Sequence, residues 1–445
     1  MCIAKENILY LCGRKKRASK MNVLIVNTSE RTGGAAVAAG RLLETLNNSG
    51  EKAKMLVRDK QTDSITVAEV PGRMFSRWHF LWERWCIFCH LHFSKDHLFE
   101  IDIANSGTDI TSLPEFKWAD VIHLNWINQG MLSLGNIRKI LKSGKPVVWT
   151  MHDMWPATGI CHYSGGCLAY KSGCANCPLL PDSGSQHDLS NKVWRRKKSL
   201  YADGNICFVA CSRWLESQAR QSALLKGQRI QCIPNAIDHR VFFCRHDKEE
   251  CRREVGLPED KKVILFVSHR VTDQRKGMSY FIEAVDKLVA EHPEMKDTTV
   301  VAVLGGESEE ITGRLALKTC ALGYVTDEKR IATIYNAADI YVLPSIEDNL
   351  PNTIMEAMAC GVPCVGFRTG GIPEMIDHRQ NGYVADFRKS DDLAAGMHWL
   401  LCEADYEAMS RAAVSKVNAR YSQQSVAMKY IEVYNEMAAM KKYII

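Results

Sequence analysis

Long apolar runs are missing from this chain. No stretch approaches the roughly 18 consecutive apolar residues that a membrane-spanning helix requires, and the short run within residues 1–20 ends in charges. Nothing there reads as a secretory signal, so a reducing, cytoplasmic setting is expected. No internal repeat and no low-complexity tract is found, which sets aside repeat arrays and disordered linkers. The net charge of +6 is spread along the chain rather than gathered into a basic stripe, so nucleic acid is not an expected partner. The G-x-G-x-x-G spacing of a dinucleotide fold is absent as well.

What is present is an ordinary globular composition, 46% hydrophobic and 24% charged over 445 residues, enough for two or three domains with large cores. The 17 cysteines mostly sit in apolar runs, such as Cys207 and Cys211 or Cys360 and Cys364, where they read as buried small hydrophobes rather than disulfide partners.

Strand and helix patterns alternate along most of the chain. Residues 22–28, 120–126, 145–153 and 205–212 read as buried strands, each followed by polar or helical sequence. After a linker at 233–242 the pattern restarts, with strands near "KKVILFVSH", "TTVVAVLGG", "DIYVLPS", "PCVGFRT" and "NGYVAD". Continuous apolar strands alternating with helices imply parallel sheets covered on both faces. The expected architecture is α/β, with two doubly wound Rossmann-like domains facing a central cleft. Residues 1–20 read as an extension, 21–238 as the first domain, 239–424 as the second, and 425–445 as a helix packing back on the first. Ligands of such sheets bind at the carboxyl ends of the strands.

Three motifs fall at strand ends. Gly33 and Gly34 stand where the first strand becomes a helix, so their N–H groups could face an anion, although tight packing explains them equally well. Arg270 and Lys276 follow the first strand of the second domain. They suit a diphosphate, or are two solvated charges in a loop. Residues 345–363, "SIEDNLPNTIMEAMACGVP", carry Asp348 and Glu356 about the start of a helix, with Asn349 read as N-cap and Pro351 as the first helical residue. The two acids read as an acid/base pair, as hydroxyl-binding groups, or as helix charges each contributing about 0.3–1 kcal/mol.

Taken in order, these pieces resemble the retaining glycosyltransferases of family 4, with the GT-B fold. The match runs through Gly33–Gly34, His152–Asp153, "IPNAID", Arg270 and Lys276, "LGG", "YNAADIYVLPS", "EAMACGVPCV" and "GGIPE", nearly the whole chain from Met21. The resemblance implies transfer of a sugar from a nucleoside-diphosphate sugar to a saccharide acceptor, often lipid-linked, in surface polysaccharide or glycan assembly. It implies catalytic roles for His152, Asp348, Arg270 and Lys276, and donor binding by Gly33, Gly34, Arg270, Lys276, Asn349, Leu350, Asn352, Thr353 and Glu356. Glu356 would grip the ribose and Asp348 the transferred sugar. The family usually has Glu at the first position; Glu347 lies one residue out of register, and "NLPN" replaces a glycine-rich loop. No catalytic metal is implied. Two rivals remain, a sugar-nucleotide epimerase on the same fold and a non-catalytic nucleotide-sugar-binding scaffold. Intact Arg270, Lys276 and Glu356 speak against the second.

Two segments fall outside this pattern. Cys161, Cys167, Cys174 and Cys177 crowd a glycine-rich loop beside His162, and only the last pair has the C-x-x-C spacing of structural zinc. Either the four hold one structural zinc or they are reduced thiols in an insertion. In residues 75–93, Trp78, Trp82 and Trp85 share one helical face flanked by Arg77 and Arg84. Burial against the first sheet is the simpler reading. A peripheral contact with an anionic membrane, at its inner face, is the alternative that lipid-linked acceptors raise. Trp126 and Trp155 are candidate stacking surfaces for the acceptor, and His123 reads as a core histidine.

Overall fold

The computed structural model describes residues 20–202 and 204–441, so the expected extension lies almost wholly outside the described residues. The N-terminal domain holds β1 (Asn22–Ser29), β2 (Lys52–Asp59), β3 (Val67–Glu69), β4 (Val121–Leu124), β5 (Val147–Met151), β6 (Ile206–Ala210) and β7 (Arg229–Cys232). They form one parallel sheet in the order β3-β2-β1-β4-β5-β6-β7. The C-terminal domain holds β8 (Lys262–Arg270), β9 (Thr299–Gly306), β10 (Lys318–Gly323), β11 (Ile340–Leu343), β12 (Cys364–Phe367) and β13 (Gly382–Ala385). Their order is β10-β9-β8-β11-β12-β13, again all parallel.

The central strands are Val/Ile/Leu runs with both faces buried, as helices on each side of a parallel sheet require. The order reverses between β1 and β4 and between β8 and β11. Each reversal opens a crevice at the strands' carboxyl ends, and the two crevices face each other.

Helix α1 (Gly34–Asn48) follows β1 and buries Ala39, Leu42, Leu43 and Leu46 in the core beneath that sheet. The chain returns at its end: the helix Gln423–Lys441 packs on α1, and its Tyr430 and Tyr434 enter the N-terminal core. There Tyr434 Oη lies 2.6 Å from His123 Nδ1, and Thr150 Oγ1 lies 2.7 Å from Nε2. Burial pushes this histidine down to about 3, so it is a neutral core residue. Ser422 separates this closing helix from the preceding one, Tyr406–Tyr421.

The aromatic segment departs from the simpler expectation. Helix α2 (Arg73–His90) turns Trp78, Trp82 and Trp85 to solvent, while Glu83 and Arg84 are buried. The inner positions are held by bonds to residues 98–104, a partner surface that helical spacing alone does not reveal.

Candidate functional site

The second crevice is built by close backbone approach. After β8 the chain makes a short turn over Gln274–Lys276 and reaches Gly277 at φ +75. A Cβ there would stand 1.9 Å from the Pro344 carbonyl oxygen, so only glycine lets this turn meet the end of β11. The contact brings Lys276 Nζ to 2.6 Å from Asp348 Oδ2, which also accepts from Ser345 Oγ at 3.2 Å. Arg275 Nη1 donates to the Glu347 carbonyl at 3.0 Å and lies 3.7 Å from Asp348 Oδ2. Burial by itself would raise the Asp348 carboxyl. The two cations outweigh it and hold the group below the usual carboxylate range.

Arg270 behaves differently from the expectation that it would stand with Lys276. It ends β8 exposed, and its guanidinium finds no partner among the described residues. The second cation beside Asp348 is Arg275, which "QRKG" hides next to Lys276. Its guanidinium also stacks 5.0 Å over the ring of Tyr163, a residue of the opposite domain.

Glu356 sits one turn inside the helix Asn352–Ala359 and is buried. Its Oε1 accepts from Arg41 Nη2 at 2.8 Å, and Oε2 accepts from Tyr335 Oη at 3.1 Å. Burial pushes the Glu356 carboxyl up, while Arg41 and Tyr335 pull it back. Arg41 belongs to α1, so this pair spans the cleft, and it reaches Glu328 at 3.1 Å as well. Asp348 and Glu356 are therefore held by different cations and do not form a proton-sharing dyad.

Asn349 is not the helix cap. Pro351 occupies that position, and the Asn349 side chain is spent across the cleft, accepting from Ser212 Oγ at 2.5 Å and donating to the His152 carbonyl at 3.2 Å. Asn352 Nδ2 donates to the Gly34 carbonyl at 3.0 Å, which brings the glycine pair of the first crevice to the helix start in the second. Thr353 Oγ1 accepts from Tyr341 Oη at 2.8 Å, and Leu350 is buried in the C-terminal core.

On the facing wall, His152 Nε2 lies 2.9 Å from Asn125 Oδ1, and burial lowers the ring to about 4, leaving it neutral. The neighbouring Asp153 anchors a buried chain of charges. His162 Nδ1 lies 2.7 Å from Asp153 Oδ2, and its Nε2 lies 2.6 Å from Asp102 Oδ2, which in turn pairs with Arg84. Burial would lower the imidazole, but the two carboxylates raise it to about 10, so it is a cation. Trp126 Nε1 donates to Asp153 at 2.9 Å, and its ring stays half-buried. Trp155 cannot stack on an acceptor: it is fully buried, bonded through Nε1 to the Asp102 carbonyl at 2.8 Å and covered by Lys197.

Cys161, Cys167, Cys174 and Cys177 line one cavity with Tyr170, Leu179 and Ser190, and all four are free thiols. As they stand, no three His, Cys, Asp or Glu side chains among the described residues form a group able to hold a metal ion. Burial pushes Cys161 up to about 12 and Cys174 to about 11, so these thiols keep their protons. His162 is turned away to Asp102 and Asp153.

Sequence reasoning missed Arg41, Arg275, Tyr163 and Tyr335. Arg275 carried the one available signal, a second cation adjoining Lys276. The others lie far from their partners in the chain.

The comparisons agree with this geometry. The family profile "Glycosyltransferase Family 4" matches residues 32–241, and "Glycosyl transferases group 1" matches 261–403. N-acetyl-alpha-D-glucosaminyl L-malate synthase of Bacillus anthracis is 27% identical over 47% of this chain, which spans only 54% of that relative's length. A putative colanic acid biosynthesis glycosyl transferase of Escherichia coli, WcaC, is 24% identical over 71% of this chain and 75% of its own. The fold matches that of Anabaena HepE, solved with UDP and glucose, at a TM-score of 0.61 and 17% identity, covering 94% of this chain and all (100%) of that one. The two parallel-sheet domains are those of the GT-B fold, and the chain belongs to the group 1, family 4 glycosyltransferases.

Proposed function

We propose that this transferase moves a sugar from a nucleoside-diphosphate sugar to a saccharide acceptor, lipid-linked, with retention of anomeric configuration, in surface polysaccharide or glycan assembly. The observation that carries the reading is the Lys276–Asp348 contact, 2.6 Å long, with Arg275 beside it at the switch point of the second sheet. Fixed cations after the carboxyl end of β8, beside the end of β11 and the N-terminus of the helix Asn352–Ala359, suit a diphosphate. Lys276, Arg275 and the exposed Arg270 would stabilise the charge developing on the leaving group, which is commonly the largest catalytic contribution. The reading assigns no step to a metal.

A neutral His152, its Nε2 held against Asn125 Oδ1, orients the sugar by its position rather than acting as a base, and the leaving phosphate takes the acceptor's proton. Asp348, kept ionised, faces the sugar, and Glu356 takes the ribose hydroxyls once they displace Arg41. HepE binding UDP and glucose, and the colanic acid assignment of WcaC, support the donor class and the pathway type.

Thermal melting against a panel of uridine, guanosine and adenosine diphosphate sugars tests the donor. At about 100 times the dissociation constant, the right one adds roughly 2.7 kcal/mol of stability; no shift with any of them defeats the proposal. Release of nucleoside diphosphate only when acceptor is present excludes the epimerase, and release under any condition excludes the scaffold.

A further inference from the structure

Helix α2 is built inside out. Its one acid, Glu83, is fully buried, and Oε1 accepts from the Ile103 and Ala104 N–H groups at 3.0 and 2.6 Å. Arg84 is buried beside it, donating to the Leu98 carbonyl at 2.6 Å, to that of Ile101 at 3.2 Å, and to Asp102. The opposite face carries Phe75, Trp78, Trp82 and Trp85, which are 72, 64, 53 and 54% exposed. Met74 and Leu81 extend the same stripe, and Phe93 continues it past the helix end.

The stripe is not a packing surface waiting for this chain's own sheet. The bonds of Glu83 to backbone N–H groups and of Arg84 to Asp102 and two carbonyls fix the helix rotation, and rolling the tryptophans inward would strip both buried side chains of their partners, a large cost. An exposed apolar patch of this size marks an interaction surface.

We infer that the outer face of α2 docks on the interfacial region of an anionic lipid bilayer. Three observations select lipid over a protein partner. The exposed positions of the helix include Arg73, Arg77 and His90 but no acid, so the face complements negative headgroups. Tryptophan and phenylalanine, interleaved with arginine, are the residues that settle at the boundary between acyl chains and headgroups. Among the described residues no helix is long and apolar enough to cross a membrane, so the contact lies on the surface.

The placement also connects the surface to the cleft. From Arg84 the buried charges run through Asp102 and His162 to Asp153, the neighbour of His152. A bilayer on α2 is thereby held in fixed relation to the wall expected to receive the acceptor. Only this last step rests on the lipid-linked acceptor proposed above; the docking itself does not.

Flotation of the full chain with vesicles of phosphatidylethanolamine and phosphatidylglycerol, without donor or acceptor, tests the inference. The chain should float with these vesicles and less with phosphatidylcholine alone, with a blue shift of tryptophan emission. Replacing Trp78, Trp82 and Trp85 together by Ser should lower the partition coefficient tenfold or more, with an unchanged melting temperature because the rings are exposed. Phe243→Ser, an exposed aromatic on the C-terminal domain, should leave binding intact. A wild type that does not float overturns the inference. So does a wild-type dimer that the triple variant makes monomeric, since a second copy would then cover the face. Loss of the melting temperature in the triple variant would show the rings packed, and would also overturn it. Donor-induced stabilisation is measured separately, so failure of docking and failure of the transferase reading are told apart.

Discussion

Arg41 Nη2 lies 2.8 Å from Glu356 Oε1, an ion pair that joins α1 of the N-terminal domain to the helix Asn352–Ala359 of the other. Both side chains are buried, so the pair offsets the desolvation of two charges, and Arg41 has Glu328 as a second partner. On the proposed function, Glu356 would act as a binding group that changes partners rather than as a proton carrier.

Glu356→Ala should therefore act chiefly on the donor Michaelis constant. A hydrogen bond to a charged group contributes about 1.5–3 kcal/mol, hence a rise of roughly 10- to 200-fold. Steady-state kinetics with the donor varied checks this; a fall in turnover with an unchanged Michaelis constant contradicts it. Arg41 keeps Glu328 as partner, so the variant should remain folded.

On the same proposal Asp348→Ala should lower turnover instead, because this carboxylate, held by Lys276, would face the sugar whose geometry changes during transfer. Asp348→Glu, which keeps the carboxylate, should recover part of the activity. Equal kinetics for wild type and Asp348→Ala would reduce the acid to a charge partner of Lys276.

The His162 imidazole has a definite pH signature. Its folded value is raised to about 10 from an ordinary value near 6.5, so its contribution is complete below about 6.5 and is lost as pH climbs towards 10. Melting should fall across that window by up to about 1.4 kcal/mol per pH unit from this group. His162→Gln should be less stable at pH 6 and show a flatter decline. A parallel pH dependence in both proteins would mean that the ring is not a cation.

One structural zinc on Cys161, Cys167, Cys174 and Cys177 remains a proposal, supported by four thiols of a single loop sharing one cavity. It requires the sulfurs to lose their protons and close on the ion. Elemental analysis of protein purified without chelators should give about one zinc per chain, and chelation should lower the melting temperature. Metal-free protein of full stability leaves four reduced thiols.

The alternation of apolar strands with helices was legible in the chain, because helical and strand periodicity are local patterns that side-chain burial imposes residue by residue. So were the motif positions at strand ends, Lys276, Asp348 and Glu356 among them. Strands β2, β3, β7 and β10 were not, since they mix charge with apolar residues or are short edges. The tertiary structure alone decided the pairings. Arg41 and Glu356 are 315 residues apart, and nothing local marks either as the other's partner. It also decided which face of α2 points inward. Spacing shows that Trp78, Trp82 and Trp85 share a face, but burial of the opposite face follows from the free N–H groups of Ile103 and Ala104 and the carboxylate of Asp102. These become neighbours only after the sheet has formed.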